Sequence, residues 1–274
     1  MDKLTILICF ILFNSFAKAQ NIFSALHLNE EREYKTRQPK TIVETNTFYN
    51  PGKNQVDKNI KTFDESGMVL MEERFDESGK LTARLTYTND TANRLTLTRT
   101  FERWTQLGYT RETAFYSYDS NYHLVGTTDK DPSGNVKWQT NLVVNEKGHP
   151  VELSLFDGDG NPYGMEIATY LYDRNKAVTS VLSNEGKVLS TDTIKISFLN
   201  ASLFPGENDI YNSNGDLTGW VSRSRNGTVT EYEEEYLYDS FGNCTEVKIY
   251  EVTVKNNGKR KRKIDRLFKK QYTY

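Results

Sequence analysis

The acidic residues of this chain recur at a fixed place. Phe63-Asp64-Glu65-Ser66-Gly67 is followed by Phe75-Asp76-Glu77-Ser78-Gly79, and the unit (an aromatic, Asp, two small or polar residues, Gly) returns with drift to the C-terminus. Repeated aspartates invite a reading as cation ligands or acids. Asp157-Gly158-Asp159-Gly160-Asn161 has the alternating oxygens a hard cation favours, but an EF-hand loop needs Gly at its sixth place and Glu at its twelfth. Pro162 and Ala168 stand there. The carboxylate run Glu231-Tyr232-Glu233-Glu234-Glu235 offers acid pairs of the kind a glycosidase sets about 5 to 10 Å apart. Strand alternation puts Glu231, Glu233 and Glu235 on one face and Tyr232, Glu234 and Tyr236 on the other. His27, His123 and His149 stand at no metal-ligand spacing. His123 and His149 each directly follow a turn, which predicts solvent-facing side chains. No phosphate loop, nucleophile elbow or His-Glu-x-x-His motif is present, so no catalytic residue, metal or cofactor is expected.

Two other groups bear on binding. Trp104, Trp138 and Trp220 stand among many tyrosines, and such rings stack on sugars or cap a thin apolar layer. From Lys255 to Lys270 there are nine Lys or Arg against the one acid Asp265. Lys259, Arg260, Lys261, Arg262 and Lys263 form its densest part. That stretch reads as a contact for an anionic surface such as lipid head groups or acidic glycans. It also reads as an edge hairpin turning at Asn257-Gly258, kept soluble by lysines, with the acidic strand around Glu233 paired across from it.

The repeat unit itself is a turn. Asp opens it by accepting backbone amides, and Gly supplies the positive φ that closes a short loop. Copies end at Gly67, Gly79, Gly134, Gly148, Gly160, Gly186, Gly215, Gly227 and Gly242, with a looser one at Gly258. Tyr118-Asp119-Ser120-Asn121 and Tyr172-Asp173-Arg174-Asn175 lack the glycine, which predicts Asn121 and Asn175 as the left-handed residues. A step of 12 leaves a strand of roughly 8 residues, about 26 Å. Between the turns, apolar and polar residues alternate: Leu81, Ala83, Leu85 and Tyr87 against Thr82, Arg84 and Thr86. The fold expected is all-β, an antiparallel meander of repeated hairpins forming a large curved or rolled sheet. An irregular connection is expected between Gly186 and Gly215.

Residues 1–19 read as a signal peptide, with an apolar run from Leu4 to Phe13 and the small-x-small site Ala17-Lys18-Ala19. Residues 20–40 read as an irregular lead-in and 41–274 as the repeat domain. The chain is expected to be exported, to the periplasm, the outer surface or the medium. Past residue 19 only Cys244 remains, so it has no partner for an intramolecular disulfide. A net charge of −2 gives no general attraction to nucleic acid.

Tyr238-Asp239-Ser240-Phe241-Gly242-Asn243 resembles the YD repeat of bacterial Rhs-type proteins. Phe75-Asp76-Glu77-Ser78-Gly79-Lys80-Leu81 resembles the turn of bacterial MORN-like repeats. The two forms roughly alternate over residues 40–274. The resemblance implies a secreted β-hairpin repeat protein and supplies no catalytic residues. The function expected is a non-catalytic secreted or envelope protein that presents a sheet surface to a protein or glycan. The alternatives are a carbohydrate-active enzyme with a carboxylate pair in a concave groove, and a structural element of a surface assembly.

Overall fold

The computed structural model describes residues 22–26, 37–198, 208–223, 229–254 and 259–274. The leader, His27 and the copies ending at Gly227 and Gly258 lie outside them. Seventeen strands form one sheet: β1 (Thr41–Phe48), β2 (Gln55–Phe63), β3 (Val69–Phe75), β4 (Leu81–Asp90), β5 (Leu95–Thr105), β6 (Gly108–Tyr118), β7 (Leu124–Lys130), β8 (Val136–Val144), β9 (Pro150–Asp157), β10 (Pro162–Leu171), β11 (Lys176–Ser183), β12 (Val188–Lys195), β13 (Ile210–Tyr211), β14 (Leu217–Arg223), β15 (Val229–Tyr238), β16 (Cys244–Val254) and β17 (Arg260–Thr273). One helical turn, α1 (Ile22–Leu26), precedes them. The all-β meander expected from the repeats is the fold observed.

The turns explain the strands. Asp76 is typical: its Oδ1 accepts the amides of Ser78 at 2.9 Å and Lys80 at 3.0 Å. The Gly79 amide closes the loop on the Asp76 carbonyl, and the Asp76 amide donates to Lys80 O. The same pair of backbone bonds recurs at Asp64, Asp119, Asp131, Asn145, Asp157, Ser183, Asn212 and Asp239. The opening residue need only carry an acceptor oxygen, so Asn and Ser serve as well as Asp. The Asn121 expectation is corrected: Tyr122, three residues past Asp119, holds the positive φ of 65°. Asn175 does adopt the left-handed conformation, as the C-cap of a single 3-10 turn at Tyr172–Arg174.

Ladders join each strand to the next from β1 to β12 and from β13 to β17. β1 also pairs with β17, Thr41 opposite Thr273 and Phe48 opposite Arg266. Every ladder is antiparallel, so β12 and β13 run the same way and a direct ladder between them would be parallel. None is formed among the described residues, and the band is not closed. β17 is therefore no edge strand. The edge-hairpin expectation for the basic segment is corrected, because β16 and β1 satisfy both of its sides.

Successive turns alternate between two rims, and the tyrosine-led copies at Tyr118, Tyr172 and Tyr238 share one. On this rim three tyrosine pairs fasten their strands to the preceding hairpin, while Tyr118 alone of its pair reaches back, to Thr96 O at 2.8 Å. Tyr170, Tyr236 and Tyr272 donate to the carbonyls of Pro150, Leu217 and Cys244 at 2.7, 2.7 and 2.6 Å. Each acceptor lies five residues past the residue that opens the neighbouring turn. Two residues on, Tyr172 receives Asn145 Nδ2 at 2.8 Å, Tyr238 donates to Asp216 Oδ2 and Tyr274 donates to Asp239 Oδ2. At about 0.5–1.5 kcal/mol per net hydrogen bond, the series is a repeated brace.

Among the described residues, layered packing gathers in one region. Ile22 and Phe23 of α1 join Leu124, Leu142, Leu153, Ala168, Tyr170, Ala177 and Ile196 in the core. The Ile22 amide donates to Glu166 Oε2 at 2.7 Å. The lead-in read as irregular thus contributes a buried helical turn. His149 also departs from its expectation. It stacks on Phe198 at 4.9 Å and sits against Tyr170 and Tyr172 instead of facing solvent.

The turns predict two distinguishable glycine effects. Gly79 has φ +79° and nothing near a Cβ position, so Gly79→Ala carries only the left-handed penalty, about 1–2 kcal/mol. At Gly148 a Cβ would also stand 2.2 Å from His123 Nε2. Urea denaturation should rank Gly148→Ala as clearly the more destabilising of the two.

Candidate functional site

Direct ladder partners project to the same side of a sheet, so the registers assign every strand residue to a face. α1 lies on the side of Leu142, Leu153, Ala168 and Tyr170. The side that α1 covers is called the inner face and the opposite side the outer face. Three rows follow. Asn59, Arg74, Ala83 and Arg103 form one. Tyr87, Arg99, Ala114, Asp129 and Trp138 form the second. Trp220, Tyr232, Glu251 and Lys263 form the third.

The inner face between β3 and β8 is polar and partly desolvated. Glu72, 9% exposed, accepts Arg74 Nε at 2.7 Å. Burial pushes the Tyr87 phenol up to about 12, with the Glu72 charge adding to it. Burial likewise raises Tyr116. The Asp129 carboxyl is raised by burial and by the Glu112 charge, against the pull of Arg99. Three inner-face atoms are buried without a hydrogen-bond partner: Arg99 Nε, Thr127 Oγ1 and Asn46 Oδ1. Such groups cost about 1–3 kcal/mol each when unmet. Sequence reasoning singled out none of these residues. No local signal could have found them, because the face that Arg99 and Asp129 share with Ala83 and Leu85 is set by registers across separate strands.

The outer face is laced with ion pairs. Arg84 bridges Glu73 at 2.9 Å and Glu102 at 3.8 Å. Arg260 reaches Glu231 and Glu233, both at 2.9 Å, and Arg262 reaches Glu233 at 3.0 Å and Glu235 at 2.8 Å. These pairs cross β16 and cover Val252, which is why an outer valine is buried. The acidic strand is next but one to the basic strand, not directly paired with it. The basic stretch divides: Arg260 and Arg262 face out, Lys261 and Lys263 face in, and Lys259 precedes β17.

The tryptophans do not converge. Trp104 is on the outer face, with Tyr109 at 5.4 Å and the Arg84 guanidinium over its ring. Trp220 stacks flat on Tyr232 at 4.2 Å, its nitrogen held by Glu234 Oε1 at 3.0 Å. Trp138, 38% exposed, meets Tyr163 edge to face at 5.2 Å. Glu234 Oε2 also stands 2.5 Å from the Tyr236 hydroxyl, whose one proton is shared between that oxygen and Leu217 O. The Asp157 carboxylate accepts Asp159 N, Asn161 N and Asn161 Nδ2, which is turn chemistry. The thiol of Cys244, just past the Asp239 turn, contacts Glu246 O at 3.5 Å. Among the described residues no cluster of three or more His, Cys, Asp or Glu is placed to hold a metal, and no helix is long and apolar enough to cross a membrane.

No family model matches the chain, and no curated protein matches it. Among solved structures, a porin-like protein from Bacteroides uniformis is 12% identical over 88% of this chain and 100% of its own, with a TM-score of 0.46. TcdB2-TccC3-Cdc42 is 13% identical over 79% of this chain and 16% of its own, with a TM-score of 0.22. Neither likeness carries an argument about function.

Two opposed pH effects follow. Hydrogen bonds to the turn carboxylates of Asp76 and Asp131 hold them below the usual range. Their stabilisation is present above about pH 4 and lost as pH falls through the depressed values. Burial raises Glu234, with the bonds from Tyr236 and Trp220 only partly offsetting it. Its ionisation costs stability as pH rises from its unfolded value through its raised one. Glu234→Gln should melt at or above the parent at pH 7, with the difference closing at pH 3.5. A lower midpoint at pH 7 by circular dichroism contradicts this.

Proposed function

We propose that this is an exported, non-catalytic binding protein of YD-repeat type whose inner sheet face receives a protein or glycan. Residues 1–19 act as the leader, 20–40 as the lead-in and 41–274 as the binding domain. One contrast carries the reading. The outer-face charges described above are matched within the fold, while the inner face holds Arg99 Nε, Thr127 Oγ1 and Asn46 Oδ1 desolvated and unmet. The inner face is thus the one whose polar groups are not all met within the fold, and it is lined by Arg99, Asp129 and the part-exposed Trp138.

The outer face argues for an aqueous location. An Arg or Lys facing lipid in a β-barrel costs about 2–4 kcal/mol at the bilayer midplane. Arg84, Arg111, Lys248, Arg260 and Arg262 all project outward. The band is proposed to work in the periplasm, on the outer surface or in the medium. The inward Lys261 and Lys263 add positive charge to the binding face.

A glycan array and an envelope-protein capture, both on the mature protein, test this. Trp138→Ala and Arg99→Gln on the inner face should reduce the captured signal at least tenfold, and Trp104→Ala on the outer face should leave it unchanged. A turnover abolished by one carboxylate substitution, or a signal lost only with the outer variant, overturns the proposal.

A further inference from the structure

We propose that the inner face from β4 to β8 is a saccharide-binding groove, with Trp138 as its stacking platform and Arg99 and Asp129 as the groups that hold the sugar hydroxyls. This rests on the inner-face reading above and names its site and ligand class. Tyr87, Arg99, Ala114, Asp129 and Trp138 share one row on five successive strands. Four strand spacings make that row roughly 19 Å long, the reach of an oligosaccharide. Ala114, the small residue at its centre, separates Arg99 from Asp129. Glu112 and Tyr116 stand two residues to either side of it on the same face.

The mixture of charges selects the ligand. A carboxylate or phosphate placed at Ala114 would meet Arg99 but also Asp129 and Glu112. An ammonium group would meet Arg99. A hydroxyl both donates and accepts, so a row of hydroxyls satisfies the guanidinium and the carboxylates together.

The other tryptophans are differently placed. Trp104 is outside and roofed by Arg84. Trp220 is stacked on Tyr232 and tied to Glu234. Trp138 has its indole partly open and Asp129 directly beside it in the ladder. Aromatic stacking with adjacent directional hydrogen bonds recognises a pyranose by its apolar face and its equatorial hydroxyls at once.

The experiment is isothermal titration of the mature protein with cellohexaose, laminarihexaose, mannohexaose and hexagalacturonate. At least one neutral hexamer should bind. Trp138→Ala and Asp129→Asn should each weaken it at least tenfold while Trp104→Ala changes it less than twofold, all variants being checked for an unchanged melting midpoint. Binding of hexagalacturonate alone, or equal loss from Trp138→Ala and Trp104→Ala, overturns the proposal. So does a hexamer whose affinity falls only with Trp220→Ala, although that outcome leaves the inner-face reading standing. If no hexamer binds but an envelope protein does, and Arg99→Gln abolishes it, the saccharide is overturned and the inner-face reading survives. If nothing binds through the inner face, both fall.

Discussion

The structure depends on one interaction between neighbours in space that are not neighbours in a turn: a tyrosine reaching back to the hairpin before it. A two-stranded hairpin is marginal in water, and a wide sheet with thin layers has little core to hold it. Here Tyr170, Tyr236 and Tyr272 each close on a carbonyl five residues past a turn opener. Tyr172, Tyr238 and Tyr274 meet the polar side chains of the same turns. The units at Tyr170–Asp173 and Tyr236–Asp239 thus each make their own turn and clamp the previous one. This explains why Tyr-x-Tyr-Asp recurs as a group, since the Asp shapes one hairpin and the tyrosines secure another.

That division of labour frees the two faces. With stability drawn from turns, tyrosine braces and backbone ladders, the sheet does not have to fill its inner face with aliphatic side chains. Among the described residues, the stretch beneath α1 carries the layered core, around Ile22 and Phe23. The remainder carries Arg74, Tyr87, Arg99 and Asp129 on the inside. The outside is knitted by Arg84, Arg260 and Arg262 to their carboxylates. The polar inner lining is the feature from which the binding function is argued.

Much of this was legible in the sequence because it is local. Asp and Gly at constant spacing mark turns, and alternation in Leu81 to Tyr87 marks faces. Ala83 and Leu85 are buried as that pattern requires. The assignment of Glu231, Glu233 and Glu235 to one face, opposite Glu234, held for the same reason. What was not legible is non-local. Nothing in β1 or β17 says that the two ends of the chain pair, so the basic segment looked like an edge. Tyr122 was missed because side-chain propensity favoured Asn121, while turn geometry fixes the left-handed residue three places after Asp119. His149 looked exposed because Phe198, which stacks on it, is far along the chain. The inner-face site was invisible for a related reason: Arg99 and Asp129 are brought to opposite sides of Ala114 by registers on separate strands.

The brace is tested most directly by a double-mutant cycle between Tyr238 and Asp216, whose carboxylate accepts the tyrosine hydroxyl and, more distantly at 3.4 Å, the Asn212 side-chain amide, while the turn's backbone bonds are made by other atoms. Tyr238→Phe, Asp216→Ala and the double variant would be compared by chemical denaturation. The account predicts a coupling of about 1–2 kcal/mol, the range for residues in direct contact. Effects that simply add, to within about 0.3–0.5 kcal/mol, would contradict it.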